Sequence, residues 1–163
     1  MKFLYEESIN ADKWLTSAKE DLKLARLGQE CHDIRYELFC YHCQQAAEKS
    51  LKALLIFKLG KYPKTHSLDE LIKNLEENNI AIPEDIKKEA LSTIRYGGQQ
   101  FMGHVGLFRY PLNTLIFPPS RVTLNDHEEK DRYPRNQKPI NVYAYRQSLK
   151  RADSIIIWVE QQI

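Results

Sequence analysis

The sequence predicts an all-α fold, an antiparallel up-down bundle of four or five helices with an irregular insertion before the last one. Three observations lead there. Apolar residues recur at three- and four-residue spacings in five separate stretches. Residues suited to starting or stopping helices stand at the ends of those stretches. The connections between the first four are short, as antiparallel neighbours require.

In the first stretch, residues 11–27 place Trp14, Leu15, Ala18, Leu22 and Ala25 on one stripe. Asn10 is placed to cap its start, and Gly28 stands where a left-handed residue would follow its end. Residues 33–59 form a longer helix whose apolar and small face includes Phe39, Cys43, Ala46, Ala47, Leu51, Leu54 and Leu55. Gly60 ends it and Pro63 prevents a restart. The run from Ser67 to Glu70 reads as a capping box, with the hydroxyl serving a first-turn amide and Glu70 reaching back. It opens a helix carrying Leu68, Leu71, Ile72 and Leu75 that fades at Asn78 and Asn79.

Pro83, Glu84 and Asp85 suit the first turn of a fourth helix, with acids at its positive end and a stripe of Ile86, Ala90, Leu91 and Ile94. Residues 142–162 close the bundle with Tyr145, Leu149, Ala152, Ile156 and Val159. Between these two helices, residues 97–139 hold four of the six glycines and five of the seven prolines. This segment reads as an excursion from the bundle, with Leu115 to Pro119 as a short strand or an extended lid. The whole chain, 1–163, reads as one domain.

Composition narrows the function classes. The 163 residues carry a net charge of +2, so no large basic field for tight duplex binding is present. No apolar run is long enough for a membrane span, and the amino-terminal MKFLYEESINADKW turns polar too early for a secretory signal. Cys31, Cys40 and Cys43 are odd in number and read as free thiols, which suits the cytoplasm. Cys40 and Cys43 have CxxC spacing but lie mid-helix without a second pair, so no metal site is expected.

The candidate chemistry lies on the second helix. Arg35, His42, Gln45, Lys49 and Lys52 recur at spacings of seven, three, four and three, which aligns them as one polar ridge beside the apolar face, with Glu48 adjoining. An imidazole, an amide and several cations on a rigid element can hold an anionic ligand. The alternative is a solvated face or a dimer seam, as on any surface helix. His66 is read as bonding a helix-end carbonyl, and Arg132 with Tyr133 as a phosphate clamp and a base platform, or as packing residues that stop the insertion.

The run from Phe39 to Leu55, with Gln44-Gln45-Ala46-Ala47-Glu48-Lys49 at its centre, resembles the HEPN domain family. The family's second helix reads aromatic-x-x-Gln-Gln-Ala-Ala-Glu-Lys-x-Leu-Lys-Ala. Pro63-Lys-Thr-His66-Ser-Leu68, the first-helix pattern Trp14, Leu15, Ala18, Asp21 and Leu22, and Arg132-Tyr133-Pro134 extend the resemblance over residues 11–95 and 131–162. It implies an all-α homodimer whose members divide into metal-independent ribonucleases, partners of a minimal nucleotidyltransferase in toxin–antitoxin pairs, and nucleotide binders without chemistry.

The ribonuclease motif of the family is an Arg, four to six residues, then a His, an acid–base group and a cation suited to phosphodiester cleavage. Arg95 and His104 lie in the matching region, but eight residues separate them and glycines interrupt the span. Arg35 and His42 fit by number on the wrong helix, and Arg26 and His32 fit by coincidence. Three readings follow. The first is a non-catalytic nucleotide- or RNA-binding module using the ridge with Arg132 and Tyr133. The second is a dimeric scaffold that docks a nucleotidyltransferase through Phe101, Phe108, Tyr110 and Phe117. The third is an endoribonuclease toxin using Arg95 and His104. No cofactor is expected in any of them.

Overall fold

The computed structural model describes the backbone of residues 2–93 and 140–163, and the side chains among them from Asn10 onward. Among the described residues the chain forms five α-helices: α1 (Lys2–Arg26), α2 (Tyr36–Leu59), α3 (Leu68–Glu77), α4 (Glu84–Thr93) and α5 (Val142–Gln162). A single 3₁₀ turn, Leu27–Gln29, follows α1. Ile94, the insertion, Arg95, His104, Arg132, Tyr133 and the four aromatics assigned to docking all lie outside the described residues.

The central element is α2. It packs most extensively on α1 and α5, and also touches α3 and α4. Leu51, Leu54 and Leu55 are fully buried there, each worth about 1.5–3 kcal/mol relative to exposure. Burial extends around the helix to Gln44, Gln45, Glu48 and Lys52. The alternative of a solvated face therefore fails at Gln45, Glu48 and Lys52, because α1 and the loop before α3 cover that side.

Three local expectations are corrected. Asn10 does not cap α1, which begins at Lys2, so Asn10 sits exposed within it. Gly28 is not left-handed: among the described residues only Gly60 is a glycine with positive φ, at 67°. A β-carbon at Gly28 would instead lie 2.5 Å from Phe39 Cδ2 and 2.9 Å from Tyr145 Cζ, so what its position requires is the absence of a side chain. Ser67 does cap α3, accepting from the Glu70 amide at 3.4 Å, but the Ser67 amide donates to Thr65 Oγ1 rather than to Glu70.

α5 closes the bundle. Asn141 caps it by accepting from the Ala144 amide, and the Ile140 amide donates to Glu37 Oε1 at 3.1 Å, tying its start to α2. Tyr145 stacks on Tyr36 with centroids 5.0 Å apart, and its hydroxyl donates to the Ala25 carbonyl at 2.7 Å. Burial raises that phenol to about 12. Ion pairs Lys19–Glu160 and Arg26–Asp153 join α5 to α1 on the surface. Burial likewise raises the Cys40 thiol to about 11 and the Cys43 thiol further still, while Cys31 is only partly covered. No helix among the described residues is long and apolar enough to cross a membrane.

Candidate functional site

The polar ridge of α2 divides into two ionic clusters, each centred on a carboxylate. The first centre is Asp21. It stands seven residues after Trp14 and three after Ala18, so it occupies the inward stripe of α1 and faces α2. His42 Nδ1 lies 3.0 Å from Asp21 Oδ1, and Lys49 Nζ lies 2.6 Å from Oδ2 and 2.9 Å from Ser17 Oγ. The carboxylate accepts, so Nδ1 carries the proton in the neutral imidazole and Nε2 is left for another partner. The side chains of His42 and Lys49 remain 23% and 19% exposed, against 10% for Asp21.

The second centre is Glu48. Its Oε1 accepts from Lys52 Nζ at 2.7 Å and from His66 Nδ1 at 2.9 Å. His66 thus bonds a carboxylate rather than a helix-end carbonyl. Lys52 and Glu48 are 5% and 4% exposed, and the imidazole is 30% exposed. Lys52 Nζ also stands 5.6 Å from the Trp14 ring centroid and 5.3 Å from that of Tyr62, close enough for cation–π attraction. The ammonium is therefore held by one carboxylate and two rings.

The remaining ridge residues are not brought into either cluster. Gln45 is buried in the helix contacts of α2. Arg35 stands at the N-cap position of α2, with Nε 3.8 Å from Glu37 Oε2 in the first turn of the helix. Arg26, once paired by spacing with His32, binds Asp153. Among the described residues no group of three or more His, Cys, Asp or Glu side chains is placed to hold a metal ion.

Beyond the Glu48 cluster lies an open groove of about 450 Å³, lined by Asn10 and Trp14 of α1, Ile56 of α2, and Gly60, Lys61, Tyr62 and Lys64 of the following loop. Gly60 supplies the left-handed turn that folds this loop back beside α1. Trp14 and Tyr62 meet edge to face, centroids 5.1 Å apart at 66°. From sequence, the segment from 60 to 67 supplied a helix stop, a cap and part of the family resemblance, but Lys61, Tyr62 and Lys64 were not singled out. The available signal was an aromatic flanked by two lysines within four residues.

Comparison with known proteins agrees with this architecture. The family model for the HEPN domain matches residues 11–162. The crystal structure of TT1696 from Thermus thermophilus is similar with a TM-score of 0.64 and 22% identity, covering 94% of this chain and 98% of that one. The crystal structure of ST0689, an archaeal HEPN homologue, is similar with a TM-score of 0.59 and 24% identity, covering 94% and 97%. No curated protein matches the chain.

Proposed function

The chain belongs to the HEPN domain family, and from that premise we propose that it is a nucleotide- or RNA-binding domain of a toxin–antitoxin or nucleotidyltransferase-associated system. The observation supporting this is the Asp21 cluster. His42 is fixed through one ring nitrogen with the other left over, and Lys49 sits beside it, both partly exposed. The Lys49 ammonium can donate to a phosphate oxygen, and Nε2 of the neutral imidazole, which carries no proton, can accept from a hydroxyl such as that of a ribose. Asp21 offsets the charge of Lys49, so recognition here works by hydrogen-bond geometry rather than by net field.

Titration with nucleoside triphosphates and a short single-stranded RNA, followed by calorimetry, tests the reading. Sub-millimolar binding weakened by His42→Ala is expected. No binding of either ligand at millimolar concentration removes it.

A second reading, a homodimeric scaffold for a nucleotidyltransferase, is favoured by one observation. Leu24 and Leu27 near the end of α1, and Ile34 and Leu38 near the start of α2, are 41–50% exposed. A second copy of the chain would cover them. A monomer by sedimentation equilibrium at micromolar concentration would count against that reading.

A further inference from the structure

We propose that the groove at the C-terminal end of α2 is a nucleotide site separate from the Asp21 cluster, taking a base against Trp14 and Tyr62 and a phosphate on Lys61 and Lys64. The inference rests on the nucleotide- or RNA-binding reading and says where most of the affinity arises. A concavity of about 450 Å³ is of the size that small ligands occupy. Its walls supply both halves of a nucleotide's chemistry.

The planar half is aromatic. In an edge-to-face pair the ring that presents its edge keeps its own faces free of the other ring. Tyr62 is 37% exposed, and Trp14 is partly exposed. Each base has a π-face, so such a platform is tolerant of base identity. Glu48 offsets Lys52 behind the rings, which holds them in place without adding charge to the groove.

The anionic half is the lysine pair. Lys61 and Lys64 are exposed, and among the described residues neither has an acidic partner. Among the described residues that line the groove the only charges are those of Lys61 and Lys64, about +2 together, whereas the Asp21 cluster is neutral when its imidazole is neutral. A phosphate gains more attraction at the groove than at the cluster. The shared chemistry is a base joined to a phosphate, supplied either by a free nucleotide or by single-stranded RNA.

Intrinsic tryptophan fluorescence in a Trp158→Phe background reports on Trp14, the other of the two tryptophans. ATP and an eight-nucleotide RNA are the two probes, with calorimetry in parallel. Quenching by at least one probe is expected, weakened about tenfold by Lys61→Glu with Lys64→Glu, while the melting temperature stays unchanged because both lysines are exposed. Quenching by both probes identifies free nucleotide as sufficient, and quenching by RNA alone identifies the polymer. For RNA, two phosphate contacts give a slope of log K against log salt of about −1.4. Calorimetric binding without Trp14 quenching, or quenching unaffected by the lysine double variant, overturns the groove assignment alone. Absence of binding to either probe overturns the general reading with it.

Discussion

Replacing Glu48 tests whether the second cluster holds the molecule together. Its carboxylate is 4% exposed and receives both Lys52, itself 5% exposed, and His66 on a single oxygen. Removing one partner of a buried pair leaves the other charge uncompensated, which costs about 3–5 kcal/mol. Glu48→Gln keeps an oxygen that can accept, so the lower end, about 3 kcal/mol, is expected. For a chain of this size that is a fall in melting temperature of roughly 6–12 °C. Lys52→Met in the Glu48→Gln background removes the stranded ammonium. The double variant should therefore cost less than the sum of the two single changes, with a coupling of about 0.5–3 kcal/mol.

Thermal and urea unfolding at neutral pH measure all three variants, with Lys87→Ala as a reference. That residue pairs with Glu76 at 2.6 Å on the surface, where solvent screens the pair and its loss should leave the unfolding midpoint almost unchanged. A loss below about 1 kcal/mol for Glu48→Gln, or strict additivity in the double variant, would refute the account of a buried ionic centre.

Gly28→Ala should destabilise by about 1–3 kcal/mol through overpacking against Phe39 and Tyr145, read as a lower urea midpoint; an unchanged midpoint would contradict the close packing. Tyr145→Phe should cost about 1 kcal/mol by removing the donor to the Ala25 carbonyl. The pH dependence has a definite sign. Burial lifts the Tyr145 phenol from 10.0 to about 12, so the unfolded chain ionises first. The stabilisation is complete below pH 10 and is lost as pH rises towards 12. Urea midpoints across that window should fall less steeply for Tyr145→Phe than for the parent. Finally, burial raises both Cys40 and Cys43, so an aromatic disulfide reagent at mild alkaline pH should label Cys31 quickly and the other two only on unfolding. Equal rates for all three in the native protein would show that the core opens.

The helices were legible because each is set by a short-range period. The stripes of Leu68, Leu71, Ile72 and Leu75, or of Tyr145, Leu149, Ala152 and Ile156, are buried as their spacing requires. Gly60 and Ser67 were legible because turn and cap chemistry is also local. Asn10 misled because a cap preference of about 1 kcal/mol does not prevent a helix from continuing upstream. Gly28 misled because its neighbours come from α2 and α5, and no local pattern carries that crowding.

The candidate site shows the same division. Spacing aligned His42, Lys49 and Lys52 on α2 beside Glu48, but Asp21, which binds His42 and Lys49, comes from α1, and His66, which shares Glu48 with Lys52, comes from the loop before α3. An acid in the apolar stripe of α1 was the one clue that α2 would be met by a countercharge.

The hydroxyl of Tyr145 reaches back to a carbonyl 120 residues earlier in the chain. On the ribosome, at about 5–20 residues per second, the nascent hairpin of α1 and α2 emerges several seconds before the tyrosine that covers it. Throughout that interval the hollow over Gly28 and the ring of Phe39 stand open to water or to a chaperone. A translational pause between the end of α2 and Tyr145 lengthens that interval.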